Sequence, residues 1–537
     1  MSFMQTGPQT MLKDGSTFMD DPVMKNIEAC RELAKITRSS LGPNGLCKLV
    51  INHLNKLFVT HDAATILREL EVEHPAAKLL VQASNAMQEE VGDGTNFVVT
   101  LCGELLSQAE PLVRMGLHPS DIIEGYKKAG NKSLELLEAM ACKTADDCLL
   151  KDHVTEAIRT AIASKQYGYE GFLADLVADA CINVCPSNVR SFNVDNVRVV
   201  KLDGESIFSS KLVRGFVIGR SMESNLKHIK NAKIAVYSCA VDVPSLETKG
   251  TALIENAEDL IQYSRKEEEI MQEIIENIHK SGANLIVSNS SFGDLAMHFI
   301  NRLGMMAVRV PSKFELRRLC AAVGSRVLTR LDAPTMEDMG GCDSVDVVDI
   351  GGKHVTVFAQ DKDDSKLSTI VVRGATQNVL DDVERAIDDG VNVFKALTKD
   401  KRLVAGAGAV EMELQKELTR YAEANPGLDQ YAVRKFASSF EVVARTLAEV
   451  SGFNGTDVVT QLEADHNAGK KYQGVNITDG TTLDAVEAGI IEPYLTKFWA
   501  IRLATDTVLT VLSVNLIIVA RQAGGPKNRP DQARDAD

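Results

Sequence analysis

The stretch of this sequence best suited to chemistry is a glycine-flanked acidic turn that leads into an apolar segment. It reads Gly92-Asp93-Gly94-Thr95-Asn96-Phe97, followed by the mostly apolar residues 98–106. Glycines let a backbone approach a ligand closely, and the first amides of a helix attract anions. Asp93 offers carboxylate oxygens, which suit a hard cation such as Mg²⁺ bound to phosphate. The turn therefore predicts an anion site with a metal ligand, although an ordinary helix cap at Thr95 or Asn96 explains the same residues.

Two further junctions in the first hundred residues have the same character. One offers glycine-flanked amides and the other a carboxylate and a hydroxyl at a helix start; they read Leu41-Gly42-Pro43-Asn44-Gly45 and His61-Asp62-Ala63-Ala64-Thr65. Together with Asp93 they predict a phosphate cradle with two carboxylates. The P-loop lysine pattern and Gly-x-Gly-x-x-Gly are absent, which disfavours a Walker-type or dinucleotide site. His61 invites a catalytic role, but a single histidine at a strand end is more often a satisfied polar residue.

Three other candidates depend on where the chain brings them. Lys165, in a loop after a helical segment, has the charge to contact a phosphate, although an exposed loop lysine is the simpler interpretation. Asp388 and Asp389 lie on a predicted helix over residues 379–395, which would ordinarily turn its acidic face to solvent. If that helix packs against the cradle, one of the two carboxylates is a candidate to position an attacking water.

The length, net charge and cysteine count of the chain restrict the class of protein. A chain of 537 residues is too long for one core, and 59 basic against 74 acidic residues give a net charge of −15, which disfavours a general nucleic-acid binder. The ten cysteines show no Cys-x-x-Cys or paired zinc spacing, which favours free thiols in a reducing compartment. The longest apolar run, residues 508–520, is too short to cross a bilayer. We expect a cytoplasmic protein that binds neither nucleic acid nor a membrane.

Periodicity predicts helical ends around an α/β middle, an α+β multidomain fold. The predicted strands lie at residues 48–52, 56–60, 197–202, 213–218, 233–237, 284–288, 306–310 and 366–372, and the last predicted helix runs to residue 520. Residues 253–261 and 270–278 each carry an apolar stripe, separated by the charged residues 265–269. This insert either projects and turns at its charged segment or forms a plain amphipathic helix on the α/β layer. Residues 312–322 form a further mixed helix.

The order of these motifs over essentially the whole chain resembles the group II chaperonins, and in particular the eukaryotic cytosolic members. The segment Arg373-Gly374-Ala375-Thr376-Gln377-Asn378 adds to the likeness. The resemblance implies an equatorial ATP-binding domain (1–148 and 405–537), an intermediate hinge domain (149–218 and 373–404) and an apical domain (219–372) with a helical lid protrusion at about 247–279. It also implies ATP and Mg²⁺ as ligands, paralogous subunits of a hetero-oligomeric double ring as neighbours, and unfolded proteins as clients.

The family pattern implies a role for each matching residue. Asp93 would bind Mg²⁺, Asp62 and Asp389 would handle the attacking water, and Glu492 would hold the ribose. The nucleotide would be contacted by Leu41, Gly42, Gly94, Thr95, Asn96, Phe97, Ser164, Lys165, Gly406 and Gly408. On the helix at 312–322, the substrate-facing residues would be Lys313, Phe314 and Arg317.

The chain departs from the family pattern at several of these positions. Asn-Asp-Gly-Ala-Thr becomes His61-Asp62-Ala63-Ala64-Thr65, a threonine becomes Asn96, and the middle glycine of a triplet becomes Ala407. We expect an ATP-driven folding subunit, because Asp62, Asp93 and Asp389 are all present. The alternative is a structural ring subunit that binds nucleotide but hydrolyses it poorly. A metabolic ATP-dependent enzyme would need a catalytic constellation on the α/β segment, which the sequence lacks.

Overall fold

The computed structural model of the protein describes residues 22–52, 55–145, 149–242, 257–350, 352–360 and 367–518. The helices are α1 (Pro22–Arg38), α2 (Ala63–Glu69), α3 (Pro75–Glu90), α4 (Thr95–Arg114), α5 (Pro119–Ala139), α6 (Lys151–Ala163), α7 (Glu170–Val184), α8 (Ala257–Lys280), α9 (Asp294–Arg302), α10 (Lys313–Val323), α11 (Gln377–Lys399), α12 (Ala409–Ala424), α13 (Asp429–Ser439), α14 (Glu441–Val450), α15 (Gly455–Asn467) and α16 (Tyr494–Ser513). Within these ranges, no helix has the length and apolar character needed to cross a membrane.

The strands belong to four sheets. They are β1 (Lys48–Ile51), β2 (Leu57–Thr60), β3 (Lys143–Thr144), β4 (Val197–Asp203), β5 (Lys211–Ile218), β6 (His228–Tyr237), β7 (Leu285–Ser288), β8 (Met306–Arg309), β9 (Val327–Leu328), β10 (Gly340–Ile350), β11 (Lys353–Ala359), β12 (Ser368–Gly374), β13 (Arg402–Ala405), β14 (Gln473–Val475), β15 (Thr482–Asp484) and β16 (Ile491–Pro493). The predicted α+β class is confirmed, and the predicted strands are present with ends that differ by a few residues.

Both ends of the described chain build one helical core. Buried apolar residues from α1, α3, α4 and α5 pack with residues from α12, α13 and α16. The ring of Tyr126 meets Phe436 edge-on at 5.4 Å, and the Tyr126 hydroxyl donates a 2.9 Å hydrogen bond to the carbonyl of Leu105. A buried phenol needs such a partner, so the contact fixes α5 against both α4 and α13.

A second core lies between helices α6, α7 and α11 and one face of β4 and β12. It contains Ile158, Val177, Ile387 and Phe394, all completely buried. Gly390 of α11 lets these helices approach closely, since a Cβ there would lie 3.0 Å from a methyl group of Ile158. The carboxylate candidate Asp389 therefore sits on a helix whose neighbours are tightly packed.

The largest sheet has nine strands in the order β4-β12-β5-β11-β10-β6-β7-β8, with β9 beside β6. Strands β6, β7 and β8 are parallel, with α8 between β6 and β7 in the chain, α9 between β7 and β8, and α10 after β8. Strands β10 and β11 form an antiparallel hairpin. The sequence reasoning did not predict this hairpin.

Two predicted helices need correction. Helix α8 is continuous through residues 265–269, so the proposed turn at the charged segment is wrong; residues 243–256 of the insert lie outside the described residues. Met271, Ile275 and Ile278 of α8 are completely buried against the α/β layer, as the plain amphipathic interpretation expects. Helix α16 ends at Ser513 rather than at residue 520.

A small three-stranded sheet joins distant parts of the chain. Strand β13 pairs with β16 on one side and with β3 on the other, which places Val404 opposite Glu492 and Leu403 opposite Lys143. Short strands of this kind have little periodicity, and the sequence reasoning did not predict them. This pairing sets the position of Glu492.

Candidate active site

A cavity of about 410 Å³ lies where the helical core meets α6 and the small sheet. Its walls include the predicted residues Leu41, Gly42, Asp62, Asp93, Gly94, Thr95, Asn96, Phe97, Ser164, Lys165, Gly408 and Glu492. Asp389 and Gly406 stand just behind this surface, each in contact with a residue that lines it. Most of the predicted nucleotide residues are therefore neighbours in space.

The Gly-Asp-Gly turn adopts a conformation that requires its glycines. Gly92 and Gly94 have φ angles of 83° and 78°, and a Cβ on Gly92 would lie 2.2 Å from Cγ of Asn392 in α11. Gly94, not Thr95 or Asn96, is the N-cap of α4, and no side chain caps it. The helix-cap alternative is therefore wrong, and the start of α4 has no side-chain acceptor of its own.

Asn96 connects two of the predicted phosphate-binding segments. Its Nδ2 donates a 3.1 Å hydrogen bond to Ser40 Oγ, directly before Leu41, and its Oδ1 accepts a 3.3 Å hydrogen bond from Thr100 Oγ1. The Ser40 hydroxyl in turn donates to the carbonyl of Thr37 at 2.7 Å. The departure from the family pattern at position 96 thus supplies a cross-link between the loop after α1 and the start of α4.

Asp62 is the N-cap of α2 and is held on both oxygens. Its Oδ2 accepts hydrogen bonds from the Thr65 amide at 3.0 Å and the Thr65 hydroxyl at 2.7 Å, while Oδ1 lies 3.0 Å from Lys165 Nζ. Burial by itself would raise the pKa of Asp62, but Lys165 and the Thr65 hydrogen bonds outweigh it and lower the pKa to about 2. Asp62 is therefore ionised at neutral pH.

Asp389 forms an ion pair with the same lysine from the opposite side. Its side chain is 3% exposed, and burial raises its pKa well above the ordinary value, with Asp93 and Asp62 adding to the rise and Lys165 opposing it. Burial would lower the pKa of Lys165, but Asp389 and Asp62 outweigh it and raise the pKa. Asp388, the alternative candidate, is exposed on α11. The wall thus holds two carboxylates around one ammonium.

The cavity wall also holds a second ion cluster, in which Lys497 and Glu411 are buried and Glu492 is partly exposed. Glu492 Oε2 lies 2.8 Å from Lys497 Nζ, which donates to Glu411 Oε1 at 2.6 Å. Burial raises the pKa of Glu492, Lys497 opposes this rise, and Glu411 adds to it. A Cβ on Gly406 would lie 3.1 Å from Glu492 Oε1, so this glycine allows the carboxylate to come close.

Sequence reasoning missed Lys497 and Glu411. The available signal was a single charged residue in the first two turns of α16, five residues after Glu492. In the structure Ala407 has a φ angle of 55°, which places a residue with a Cβ in the left-handed region.

His61 lines the cavity but is only half satisfied. Its Nδ1 lies 3.6 Å from Cys47 Sγ, whereas its buried Nε2 has no hydrogen-bond partner within the described part of the chain. Burial lowers the pKa of His61. The expectation of a fully satisfied polar residue is therefore wrong for one ring nitrogen.

The three predicted client-contact residues lie elsewhere. Lys313, Phe314 and Arg317 belong to α10, which packs on the largest sheet through Leu316 and Leu319. Phe314 is 79% exposed, so it presents a large apolar side chain to solvent.

The chain is similar to known proteins over nearly its whole length. The model of the TCP-1/cpn60 chaperonin family matches residues 33–522. The chain is 50% identical to T-complex protein 1 subunit theta of Gallus gallus over 522 residues, covering 96% of this chain and 95% of the relative. The theta subunits of Dictyostelium discoideum and Arabidopsis thaliana are each 47% identical, over 99% and 100% of this chain and 99% and 98% of the relatives.

These three relatives are all theta subunits of T-complex protein 1. The predicted likeness to chaperonins is confirmed, and the chain belongs to the TCP-1/cpn60 chaperonin family.

Proposed function

We propose that this protein is a subunit of a cytoplasmic, hetero-oligomeric double ring that encloses unfolded proteins and folds them with energy from Mg-ATP hydrolysis. Membership of a chaperonin family supports ATP binding and a role in folding. The observation that carries the hydrolysis is the placement of Lys165 between Asp62 and Asp389, on the wall of a cavity that also exposes Asp93.

The triphosphate would lie along the side of the cavity that is rich in glycine. Leu41 and Gly42 line this side together with Gly94, Thr95 and Asn96. Backbone amides at the start of α4 can donate to phosphate oxygens without a competing side-chain cap. Phe97 and Ser164 would also contact the nucleotide. The Asn96 cross-link would hold the two segments at the spacing that the phosphates need.

Asp93 fits a Mg²⁺ ligand in a site that is completed by substrate. Asp93 would supply one carboxylate, and phosphate oxygens and water would complete the coordination of the cation. When bound, Mg²⁺ would neutralise charge on the phosphates. The Asp93 carboxylate already accepts from the Gly94 amide at 2.6 Å, which limits its rotation.

Asp389 and Asp62 would position the attacking water, with Lys165 between them. An ammonium 3.0 Å from Asp62 and paired with Asp389 would be drawn toward a γ-phosphate, because phosphate adds negative charge beside it. Movement of Lys165 would release the Asp389 carboxylate toward water. Since Lys165 follows α6, the same movement would report the phosphate to the α6, α7 and α11 core.

The adenosine would lie at the other end. Gly406 and Gly408 would contact it, and Glu492 would accept hydrogen bonds from the ribose. A carboxylate suits hydroxyl donors and repels phosphate, so the presence of Glu492 in the cavity wall supports a ribose rather than a phosphate beside it.

The three-domain division is part of the proposal. The core built from both chain ends supports an equatorial domain of residues 1–148 and 405–537. The core between α6, α7 and α11 supports an intermediate domain of 149–218 and 373–404. The two cores on the faces of β6, β7 and β8 support an apical domain of 219–372, on which Lys313, Phe314 and Arg317 would contact clients.

The substitution Asp389→Ala tests the hydrolytic role. We expect ATP binding to persist while hydrolysis falls by orders of magnitude, because the water loses its acceptor. The measurement is single-turnover hydrolysis in an assembled ring in which only this subunit can hydrolyse, with Asp388→Ala as the matched control on the same helix. Unchanged turnover in Asp389→Ala would reject the role, and a wild-type subunit that binds ATP without turnover would favour the structural-subunit alternative.

A further inference from the structure

Lys497 and Glu411 form a buried ion pair that the proposed function does not use. The side chain of Lys497 is 7% exposed and that of Glu411 is 1% exposed. Lys497 Nζ also lies 4.6 Å from the centre of the Phe97 ring, a contact that attracts an ammonium. Lys497 is thus held by Glu411, Glu492 and Phe97 at once.

The cluster has an excess of negative charge. Two carboxylates share one ammonium, and Asp93 is near enough to act on Glu492 as well. Burial favours the neutral form of Glu492, and Glu411 and Asp93 add to this effect, so Lys497 is the group that favours the ionised form. Without its ammonium, Glu492 would face another buried carboxylate and would take up a proton or turn away.

The ammonium also decides which oxygen of Glu492 is available. Lys497 contacts Oε2, whereas Oε1 lies on the side of Gly406, where the lack of a Cβ leaves room. An ionised carboxylate accepts hydrogen bonds and donates none, so the ligand group that it recognises must carry hydroxyl donors. Two neighbouring hydroxyls fit such an acceptor better than one.

We propose that Lys497, anchored by Glu411, is a positioning residue that orients Glu492 toward both ribose hydroxyls and thereby selects ribonucleotides over 2′-deoxyribonucleotides. The inference rests on the proposed function, since it assumes that a nucleotide occupies the cavity with its ribose beside Glu492. It assigns the cluster to substrate selection rather than to hydrolysis.

Equilibrium binding of Mg-ATP and Mg-2′-deoxy-ATP to the full-length chain tests the inference. The wild type should prefer ATP by about tenfold or more, the usual effect of one hydrogen bond to a charged group. Lys497→Met should reduce this preference to below about threefold, mainly because the variant binds Mg-ATP more weakly than the wild type does. Lys416→Met is the matched control, because Lys416 is a similarly buried lysine, 10% exposed and paired with Glu413 on α12.

A pH series separates positioning from simple loss of packing. In Lys497→Met, Glu492 faces Glu411 without the ammonium between them, so any remaining preference for ATP should increase as the pH rises and Glu492 ionises. The wild-type preference should stay constant over the same range. Glu411→Gln should keep the preference, because the amide oxygen of glutamine can still accept the hydrogen bond that anchors Lys497.

The outcomes distinguish this inference from the proposed function. Wild-type protein that binds ATP and 2′-deoxy-ATP equally well, or Lys497→Met protein that keeps the wild-type ratio at every pH, would overturn the inference alone. Loss of the preference in Lys416→Met would also overturn it, since the effect would then not be specific to the cluster. Wild-type protein that binds neither nucleotide would contradict the proposed function itself.

Discussion

The ammonium of Lys165 lies 3.0 Å from the carboxylate of Asp62, although 103 residues separate them in the chain. Asp62 caps α2 beside the helical core, whereas Lys165 follows α6 in the second core. A single ion pair therefore joins two separately packed parts of the molecule at the cavity wall. Because Asp389 contacts the same ammonium, the junction is sensitive to any charge that competes for Lys165.

Removal of the Lys165 charge should destabilise the protein strongly. In Lys165→Met two buried carboxylates lose their common cation, and the loss of one partner from a buried pair typically costs about 3–5 kcal/mol. Denaturant unfolding of the full-length chain without nucleotide measures the change. Lys151→Met is the control, because its ion pair with Asp179 is exposed and should contribute less than about 1 kcal/mol. An equal loss of unfolding free energy in Lys165→Met and Lys151→Met would contradict the role of Lys165 as the common cation of the two carboxylates.

The stability of the protein should depend on pH through Asp389. The pKa of this carboxyl is raised well above its ordinary value of 3.8 in the folded state. Between pH 3.8 and that raised pKa, the folded protein holds a proton that the unfolded chain has released, so stability falls as pH rises. Asp389→Asn removes this effect.

We therefore expect Asp389→Asn to be more stable than the wild type at pH 7, by an amount that grows as the pH rises from the ordinary pKa toward the raised one. The gain should disappear below the ordinary pKa, where the carboxyl is protonated in both states. Asp62 acts in the opposite sense, since its pKa of about 2 stabilises the fold above its ordinary pKa of 3.8 and is lost on acidification. Thermal unfolding from pH 4 to pH 8 measures the difference, with Asp506→Asn at an exposed position of α16 as control. A stability difference between Asp389→Asn and the wild type that is the same at all pH values would count against the buried-carboxyl explanation.

The sequence predicts the local parts of this site better than the long-range ones. The turn around Asp93 was predicted because its glycines and carboxylate are adjacent in the chain, and the structure shows why those glycines are needed. The approach of Asp389 to Lys165 depends on how α11 packs, which periodicity does not specify; only the family resemblance pointed to it. Lys497 and Glu411 lie 86 residues apart on different helices, so their pairing has no local signal.

Misread elements have physical reasons as well. Strand β10 contains alternating valines and aspartates around residue 346. Its glycines and aspartates have low strand propensity, so the sequence does not indicate a strand there. In α8 the charged residues 265–269 continue a helix, because lysine, arginine and glutamate are good helix formers. Charge alone is a poor signal for a turn.

The bond between Asn96 and Ser40 should tune ATP affinity. Asn96→Ala removes the connection between the two phosphate-binding segments, and we expect ATP binding to weaken by about fivefold to tenfold, the usual range for one neutral hydrogen bond. Ser40→Ala removes the same bond from the other side. The double variant should then bind ATP about as well as the single variant with the lower affinity, because the two substitutions remove the same hydrogen bond and their effects do not add. Additive losses in the binding measurements would show that each side chain acts on the nucleotide separately.

Ala407 should be a site at which glycine stabilises the protein. Its φ angle of 55° costs an L-residue about 1–2 kcal/mol, while glycine adopts it freely. The greater freedom of glycine in the unfolded chain offsets part of this gain, so Ala407→Gly should increase the free energy of unfolding by no more than about 1 kcal/mol.

Ala409→Gly, two residues away at the start of α12, is the matched control and should destabilise by about 0.5–1 kcal/mol, because its helical backbone favours alanine. Denaturant unfolding of both variants measures whether each change raises or lowers the free energy of unfolding. The Ala407 carbonyl accepts a 2.9 Å hydrogen bond from the Val475 amide, which also lines the cavity, so the strained residue ties the Gly406 to Gly408 loop to β14. If Ala407→Gly stabilises the fold but weakens ATP binding, the alanine rigidifies this loop for the nucleotide; if it destabilises the fold, the left-handed strain is not what sets the energy at this position.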